Sequence, residues 1–413
     1  MVDDFLSMAR LPAWLRAAVL AATVLGVGAC ATPPLSGRAP PPPSTVPPAV
    51  EIEQPPLVPP PPFAVTPAPT PPPPLTATPV PTPPPIAGAA PARVTSTTIA
   101  LILPLESPTY GRAASAVKAG FVAAAARAGA SARVQVIGHG DDGVLPAFAT
   151  AAQSGVALAV GPLTRDDLKI VLAMSPLRPR MLALNQSDEG APPPGGVYAL
   201  TLAVEQDAAL LMRVARGDGV KAIAVVGSDA PFQRRFSQSF VAAWRREGGA
   251  APREYRFDAS PEQLGTLRRE LAAQPIDAVV LAVDASEAAL AKSFLRGRVY
   301  ASSQITDGLP AQMLYDLENV RYIEVPWLAE PDNPAFAGVP RADYDDPVLE
   351  RLYALGIDAF ALAQMLAEPT PPDRIELDGA TGHLSLLPSR AFAREGRVMT
   401  IHDGRVLAEP PAR

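Results

Sequence analysis

Few side chains in this 413-residue chain are placed to do covalent chemistry. Cys30 is the single cysteine, so the chain has no disulfide and no CxxC metal or redox site of its own. Ser115 and Lys118 have the SxxK spacing of serine acyl-enzymes. That spacing falls within an alanine-rich helical stretch, and no KTG follows it. A serine also needs a base and an oxyanion hole before it attacks anything, so Ser115 reads as a helix residue. His139, His383 and His402 lie in loop or hairpin contexts without ligand spacing, and neither HExxH nor GxSxG occurs. They read as ordinary surface or turn residues. Asp141-Asp142 reads as a loop pair, and Asp166-Asp167 as a helix first turn, where carboxylates suit the macrodipole. The expectation is a chain with no catalytic residue, no metal and no cofactor.

Cys30 has a different chemistry in view. Arg10 and Arg16 precede an almost unbroken apolar run, Ala17 to Ala29. At about 13 residues it is shorter than the roughly 20 a membrane-crossing helix needs. Positive residues, a short apolar core and small residues at its end describe a signal peptide, residues 1–29. Asp3 and Asp4 are unusual in such a segment, and Met8 is the expected start. With Val27, Gly28 and Ala29 directly before Cys30, the segment resembles a bacterial lipobox. That resemblance implies that the thiol receives a diacylglycerol, that the signal is cut before it, and that the new N-terminus is acylated. Ala31 follows the cysteine rather than aspartate, which implies release to the outer membrane.

Residues 30–96 then read as a lipid-anchored linker. Proline recurs every two or three residues from Pro33 to Pro91, removing backbone donors and fixing φ. The expectation is a disordered, largely polyproline II spacer with breaks at Ala, Thr and Gly. In the signal Asp3 and Asp4 balance Arg10 and Arg16, and in the linker Glu51 and Glu53 balance Arg38 and Arg93. The net charge of −6 therefore belongs to the remainder, and nothing there has the basic footprint of a nucleic-acid binder.

From about Thr97 the pattern changes. Apolar runs such as "TIALIL", "VALAVG", "AIAVVG" and "DAVVLAV" alternate with helical stretches. One helix is expected from about Tyr110 to Ala128, with Val117, Phe121 and Ala125 on one face. Another starts at Pro231, spaces Phe232, Phe236, Phe240 and Trp244 four apart, and ends at Gly248-Gly249. This alternation predicts doubly wound, parallel α/β layers with strands covered on both faces. Residues 97–413 exceed one such core, so two lobes are expected, with "EGAPPPGGVY" near 189–198 as the first crossing. The tail differs: Asp378-Gly379 to Gly382 and Asp403-Gly404 sit between extended segments and predict antiparallel hairpins.

These stretches resemble the LppC family, periplasmic lipoprotein activators of penicillin-binding proteins. The matching segments are "IALILPLESP" (99–108), "AVGPLTRDDL" (159–168), "LALN" (182–185), "IDAVVLAV" (276–283), "VYASSQITDG" (299–308), "DLENVRYIEVPWL" (316–328), "RLYALGIDAFAL" (351–362) and "LDGATGHLSL" (377–386). The resemblance implies a two-lobed type I periplasmic-binding-protein fold with three crossings. One lobe would hold about 97–197 and 303–369, the other 198–302 and 370–413. It implies a non-catalytic outer-membrane lipoprotein, and as partner a class A penicillin-binding protein, the bifunctional peptidoglycan synthase. The best-known members carry a helical-repeat domain before this one, whereas residues 31–96 here are too proline-rich for helix pairs. The alternative function is a lipid-anchored solute-binding protein feeding a transporter or sensor.

A small-molecule ligand would bind outside the carboxyl ends of the strands, between the lobes. By position, Ser107, Thr164, Asn185 and Ser303 stand there and could hydrogen-bond a polar solute. The same residue types cap helices and terminate strands. Trp327, after Pro326, reads as packing rather than recognition.

Overall fold

The structure, a computed structural model, describes residues 98–174, 178–187 and 192–410. The expected signal peptide, Cys30 and the expected proline-rich linker lie outside the described residues. In the first sheet, strand and helix alternate as expected. β1 (Ile99–Leu103), α1 (Gly111–Arg127), β2 (Val134–Gly138), α2 (Val144–Gln153), β3 (Leu158–Val160), α3 (Arg165–Leu172), β4 (Met181–Ala183) and β5 (Val197–Ala199) follow one another. The strands are all parallel, in the order β2-β1-β3-β4-β5. Every residue of β1 is buried because both faces are covered. Leu101 and Leu103 join Val117 and Phe121 of α1 on one side, while Ala100 and Ile102 join Phe148 and Leu168 on the other.

The second sheet continues the same grammar. It is built from α4 (Val204–Gly217), β6 (Ile223–Gly227), α5 (Pro231–Arg246), β7 (Arg253–Arg256), α6 (Pro261–Ala272), β8 (Ala278–Ala282), α7 (Ala285–Lys292), β9 (Arg298–Ala301) and β10 (Val320–Glu324). Strands β10-β9-β8-β6-β7 are parallel. In α5, Phe236, Phe240 and Trp244 are buried as their spacing predicts, and Gly248, at φ +72°, turns the chain after the helix. β7 escaped sequence reading. Its residues, Arg-Glu-Tyr-Arg, alternate without an apolar run, which suits a strand at the edge of a sheet.

The remaining elements are α8 (Pro326–Ala329), α9 (Pro347–Leu366), β11 (Glu376–Asp378), β12 (His383–Leu386), β13 (Phe392–Glu395), β14 (Arg397–His402) and β15 (Arg405–Ala408). α9 lies directly on α1, backbone to backbone. A Cβ on Gly120 would stand 2.0 Å from the Tyr353 carbonyl oxygen, and one on Gly356 would stand 2.1 Å from that of Val117. Strands β11, β12 and β13 form a separate antiparallel sheet, and the expected hairpin at Asp403-Gly404 joins β14 to β15.

The lobe limits differ from those the resemblance implied. β5 pairs with β4, so the chain first crosses after Ala199, beyond the proline-glycine break. Residues 303–324 stay with the second sheet, because β10 pairs with β9. The second crossing therefore falls at Val325. Ile375, Ala380, Leu384 and Phe392 are buried in the core beneath α1 and α9, so β11 to β13 belong to the first lobe. The third crossing lies between β13 and β14, which pairs antiparallel with β10. Turn signals mark where a chain can bend. Which sheet the next strand joins depends on pairing partners distant in sequence.

Candidate functional site

Of the four polar residues expected to line the cleft, three are engaged in hydrogen bonds within the first lobe. Ser107 is buried, and its Oγ accepts from the Tyr110 amide at 3.1 Å just before α1. Thr164 caps α3: its Oγ1 accepts from the Asp167 amide at 3.1 Å and donates to Asp167 Oδ2 at 2.6 Å. Asn185 donates through Nδ2 to the Leu163 carbonyl at 2.9 Å, and its Oδ1 accepts from the Gln186 amide at 3.0 Å. These three side chains hold first-lobe loops in place. Ser303 alone of the four stands at the junction of the lobes, in the wall of a cavity of about 200 Å³.

That junction is crowded with paired charge. Arg351, in the first turns of α9, donates to both oxygens of Asp307 at 2.8 and 2.9 Å. It also donates to both oxygens of Glu324 at 3.0 and 2.7 Å, and to the Ser303 carbonyl at 3.1 Å. Glu324 ends β10, so the guanidinium ties a first-lobe helix to the second lobe at two points. Burial pulls the Arg351 pKa down, but the two carboxylates outweigh it and hold the pKa above its usual value. Nearby, Arg394 of β13 is 3 % exposed and donates to Asp207 of α4 at 2.6 Å and to the Thr381 carbonyl at 3.1 Å. Burial raises the pKa of Asp207, with Arg394 opposing. Gln206 completes this tie by accepting from the Arg394 amide at 2.8 Å. Two cations face three carboxylates here, and both cations are already paired, so neither is free to hold the carboxylate of a zwitterionic solute.

The family-like stretches close a second polar cluster, inside the first lobe. Asp358, in the middle of α9 and 1 % exposed, accepts from the Ala380 amide at 2.6 Å, the Thr381 amide at 2.7 Å and the Thr381 hydroxyl at 2.6 Å. Burial nevertheless pushes its carboxyl up to about 6. Gly379 permits this approach, since a Cβ there would lie 2.5 Å from Asp358 Oδ2. The Ala380 carbonyl in turn accepts from the Trp327 amide at 3.0 Å. Trp327 is fully buried, donates through Nε1 to Glu350 at 2.7 Å, and carries the Arg341 guanidinium 3.7 Å over its ring. The expectation that it packs is met. "PWL", "GIDAFAL" and "LDGATG" are thus three sides of one buried joint.

Ser115 is exposed on α1. His139 departs from the surface reading: it is 4 % exposed, with Nδ1 2.8 Å from the Gly140 carbonyl. His383 lies between Asp378 at 2.8 Å and Glu376 at 3.1 Å, and those carboxylates raise its pKa. His402 pairs with Glu318 at 2.5 Å and Asp403 at 3.5 Å, which raise its pKa too. The ligand-type atoms of Glu318, His402 and Asp403 lie within 4.8 Å of one another at the surface. Sequence spacing missed this grouping because Glu318 and His402 are 84 residues apart. Asp207, Glu324, Arg351, Asp358 and Arg394 were missed as well. A signal existed for two of them: Glu324 and Asp358 are isolated charges in otherwise apolar stretches, and such charges are rarely buried unless paired, whereas Arg351 stands directly beside Glu350.

Two α/β lobes joined by three crossings define a type I periplasmic-binding-protein-like domain. The model of the family described as "LppC putative lipoprotein" matches residues 90–402, and the chain belongs to that family. The penicillin-binding protein activator LpoA of Mannheimia succiniciproducens is 28 % identical over 308 residues, covering 72 % of this chain and 52 % of its own. The chain spans about half the length of the curated relatives it matches. Among solved structures, the C-domain of LpoA from Haemophilus influenzae aligns with a TM-score of 0.65 at 22 % identity, covering 76 % of this chain and all of that one. A protein from Chromobacterium violaceum described as "a putative branched-chain amino acid ABC transporter" aligns at 34 % identity with a TM-score of 0.64, covering 74 % of this chain and 99 % of that one.

Proposed function

We propose that this chain is a non-catalytic lipoprotein, anchored through Cys30 to the periplasmic face of the outer membrane, that stimulates a class A penicillin-binding protein. The observation that carries this reading is the match to LpoA activators across the whole two-lobed domain. The junction supports it, because its two cations, Arg351 and Arg394, are already paired and a regulator recognised by its surface has no need of an open charged cleft. The linker would then carry the domain from the outer membrane toward a synthase rooted in the inner one. The test is polymerisation and cross-linking by a purified bifunctional synthase of the same cell, with and without the lipidated full chain. Several-fold stimulation is expected, and unchanged rates with no measurable binding would remove the proposal. Fractionation of a Cys30→Ser variant tests the anchor separately: the variant should leave the outer-membrane fraction.

A second reading, a lipid-anchored solute-binding protein, draws on the Chromobacterium violaceum likeness. It requires tight binding of a small solute. A ligand at 100 times its dissociation constant would stabilise the fold by about 2.7 kcal/mol. Under the activator reading, thermal melts with amino acids, sugars and muropeptides should stay near the ligand-free midpoint.

A further inference from the structure

β2 is the outer strand of the first sheet, and each of its residues pairs with β1, from Val134 with Ile99 to Gly138 with Leu103. Just past its end, the His139 amide donates to the Leu103 carbonyl at 3.1 Å, and its carbonyl accepts from the Glu106 amide at 3.0 Å. Both bonds run toward β1. By the alternation of strand backbone, Gln135 and Ile137 also turn their amides and carbonyls to β1, while Val134, Val136 and Gly138 turn theirs outward. Among the described residues no other strand meets those outward groups.

The other edges of the two large sheets are protected. β7 carries Arg253, Glu254 and Arg256. β5 is three residues long and is bridged from Ala199 to Ala391. β15 begins at Arg405 and is followed by Glu409-Pro410. Charge, brevity and proline are what keep sheet edges from adding strands. The sequence of β2, VQVIG, has neither charge nor proline. Apolar side chains are exposed on both faces beside it. Val134 packs into the core beneath α1, so Val136, two residues on and 40 % exposed, is on that face too. α9 lies over β3 and β4 and α1 over β1, which makes α1 the helix next to the free edge. Its exposed Val122 is about 200° round the helix from Gly120, on the side turned from α9. On the other face Ile137 joins the core of Phe148, and Leu145 of the same helix, α2, is exposed.

We infer that the β2 edge docks a second copy of this chain, the two β2 strands running antiparallel about a two-fold axis at Val136. In that register Val134 of one copy stands opposite Gly138 of the other, and Val136 stands opposite its own equivalent. Every outward amide and carbonyl of β2 then has a partner. Charge selects the direction. Arg133 is exposed just before β2, and Asp141 and Asp142 are exposed just after it. Antiparallel pairing brings the cation of each copy toward the carboxylates of the other, whereas parallel pairing would set like beside like. Val122 and Leu145 border the seam on its two faces, and the same patch used twice closes the assembly at a dimer. This goes beyond the activator reading and requires no synthase.

Sedimentation of the full chain in density-matched detergent should show a monomer–dimer equilibrium. Val136→Pro removes an outward amide and no bond to β1, so it should weaken the dimer by about tenfold or more and keep the melting midpoint. Val136→Lys sets like charges face to face at the axis and should weaken the dimer similarly. Val136→Cys, oxidised by copper phenanthroline and oxygen, should give a covalent dimer. Directly opposed residues of this kind are about 5.5 Å apart at Cα, within disulfide reach. Gln135→Cys should not cross-link, because Gln135 stands opposite Ile137 of the other copy. If Val136→Pro lowers the midpoint, the contrast between the two cysteine variants still decides. A chain that stays monomeric at every concentration would overturn the inference. So would a dimer that proline and lysine at Val136 leave unchanged, or equal cross-linking of the two cysteine variants.

Discussion

The strand ends of the first lobe and the junction between lobes are both rich in polar side chains, and they use them in opposite ways. At the strand ends two of the partners are close in sequence, Ser107 with Tyr110 and Thr164 with Asp167, while Asn185 reaches 22 residues back to Leu163. At the junction the partners are far apart: Arg351 reaches 44 residues back to Asp307, and Arg394 reaches 187 back to Asp207. Local bonds of the first kind order loops and start helices. Those of the second kind fix how two separately wound sheets sit against one another. In a solute-binding protein the strand ends would be free to grip a ligand and the junction free to bend. Here the first are occupied and the second is braced.

The largest effect expected from breaking this contrast is at Arg351. Arg351→Met leaves Glu324 and Asp307 without their cation, and should cost about 3–5 kcal/mol in denaturant unfolding. Adding Glu324→Gln should recover part of that loss. A single-variant cost below about 1 kcal/mol would mean that the junction is not braced by this residue.

Asp358 comes next and tests the joint inside the first lobe. Asp358→Ala strands the buried amides of Ala380 and Thr381, at about 1–3 kcal/mol for each unsatisfied group. Its titration has a definite sign. The carboxyl titrates at 3.8 when unfolded and at about 6 when folded, so folding favours the proton. The contribution to stability is full below about 3.8 and is lost as pH rises through about 6, up to roughly 3 kcal/mol. Asp358→Asn should flatten the stability profile across that window, and an unaltered profile would assign the dependence elsewhere.

Thr164→Ala should give the smallest effect, about 1 kcal/mol from the lost cap of α3. Stimulation of the synthase should not change. A loss of stimulation without a loss of stability would show that the strand ends do contact a partner.

Much of this architecture is legible without coordinates. The alternating apolar runs and the four-residue spacing of α5 suffice to infer a doubly wound α/β fold, because backbone hydrogen bonding and burial impose their periods on neighbouring residues. β7 was hidden because an edge strand need not be apolar. The lobe limits were hidden because strand pairing is non-local: β10 looks the same in sequence whether it joins the first sheet or the second. The polar residues followed the same division. Helix caps such as Thr164 depend on three or four residues and can be read directly. That Arg351, Glu324 and Asp307 form one ion cluster, and that Gly379 yields to Asp358, is decided by tertiary contact alone. A buried charge is tolerable only beside its partner, and the fold, not the sequence spacing, determines which partner arrives.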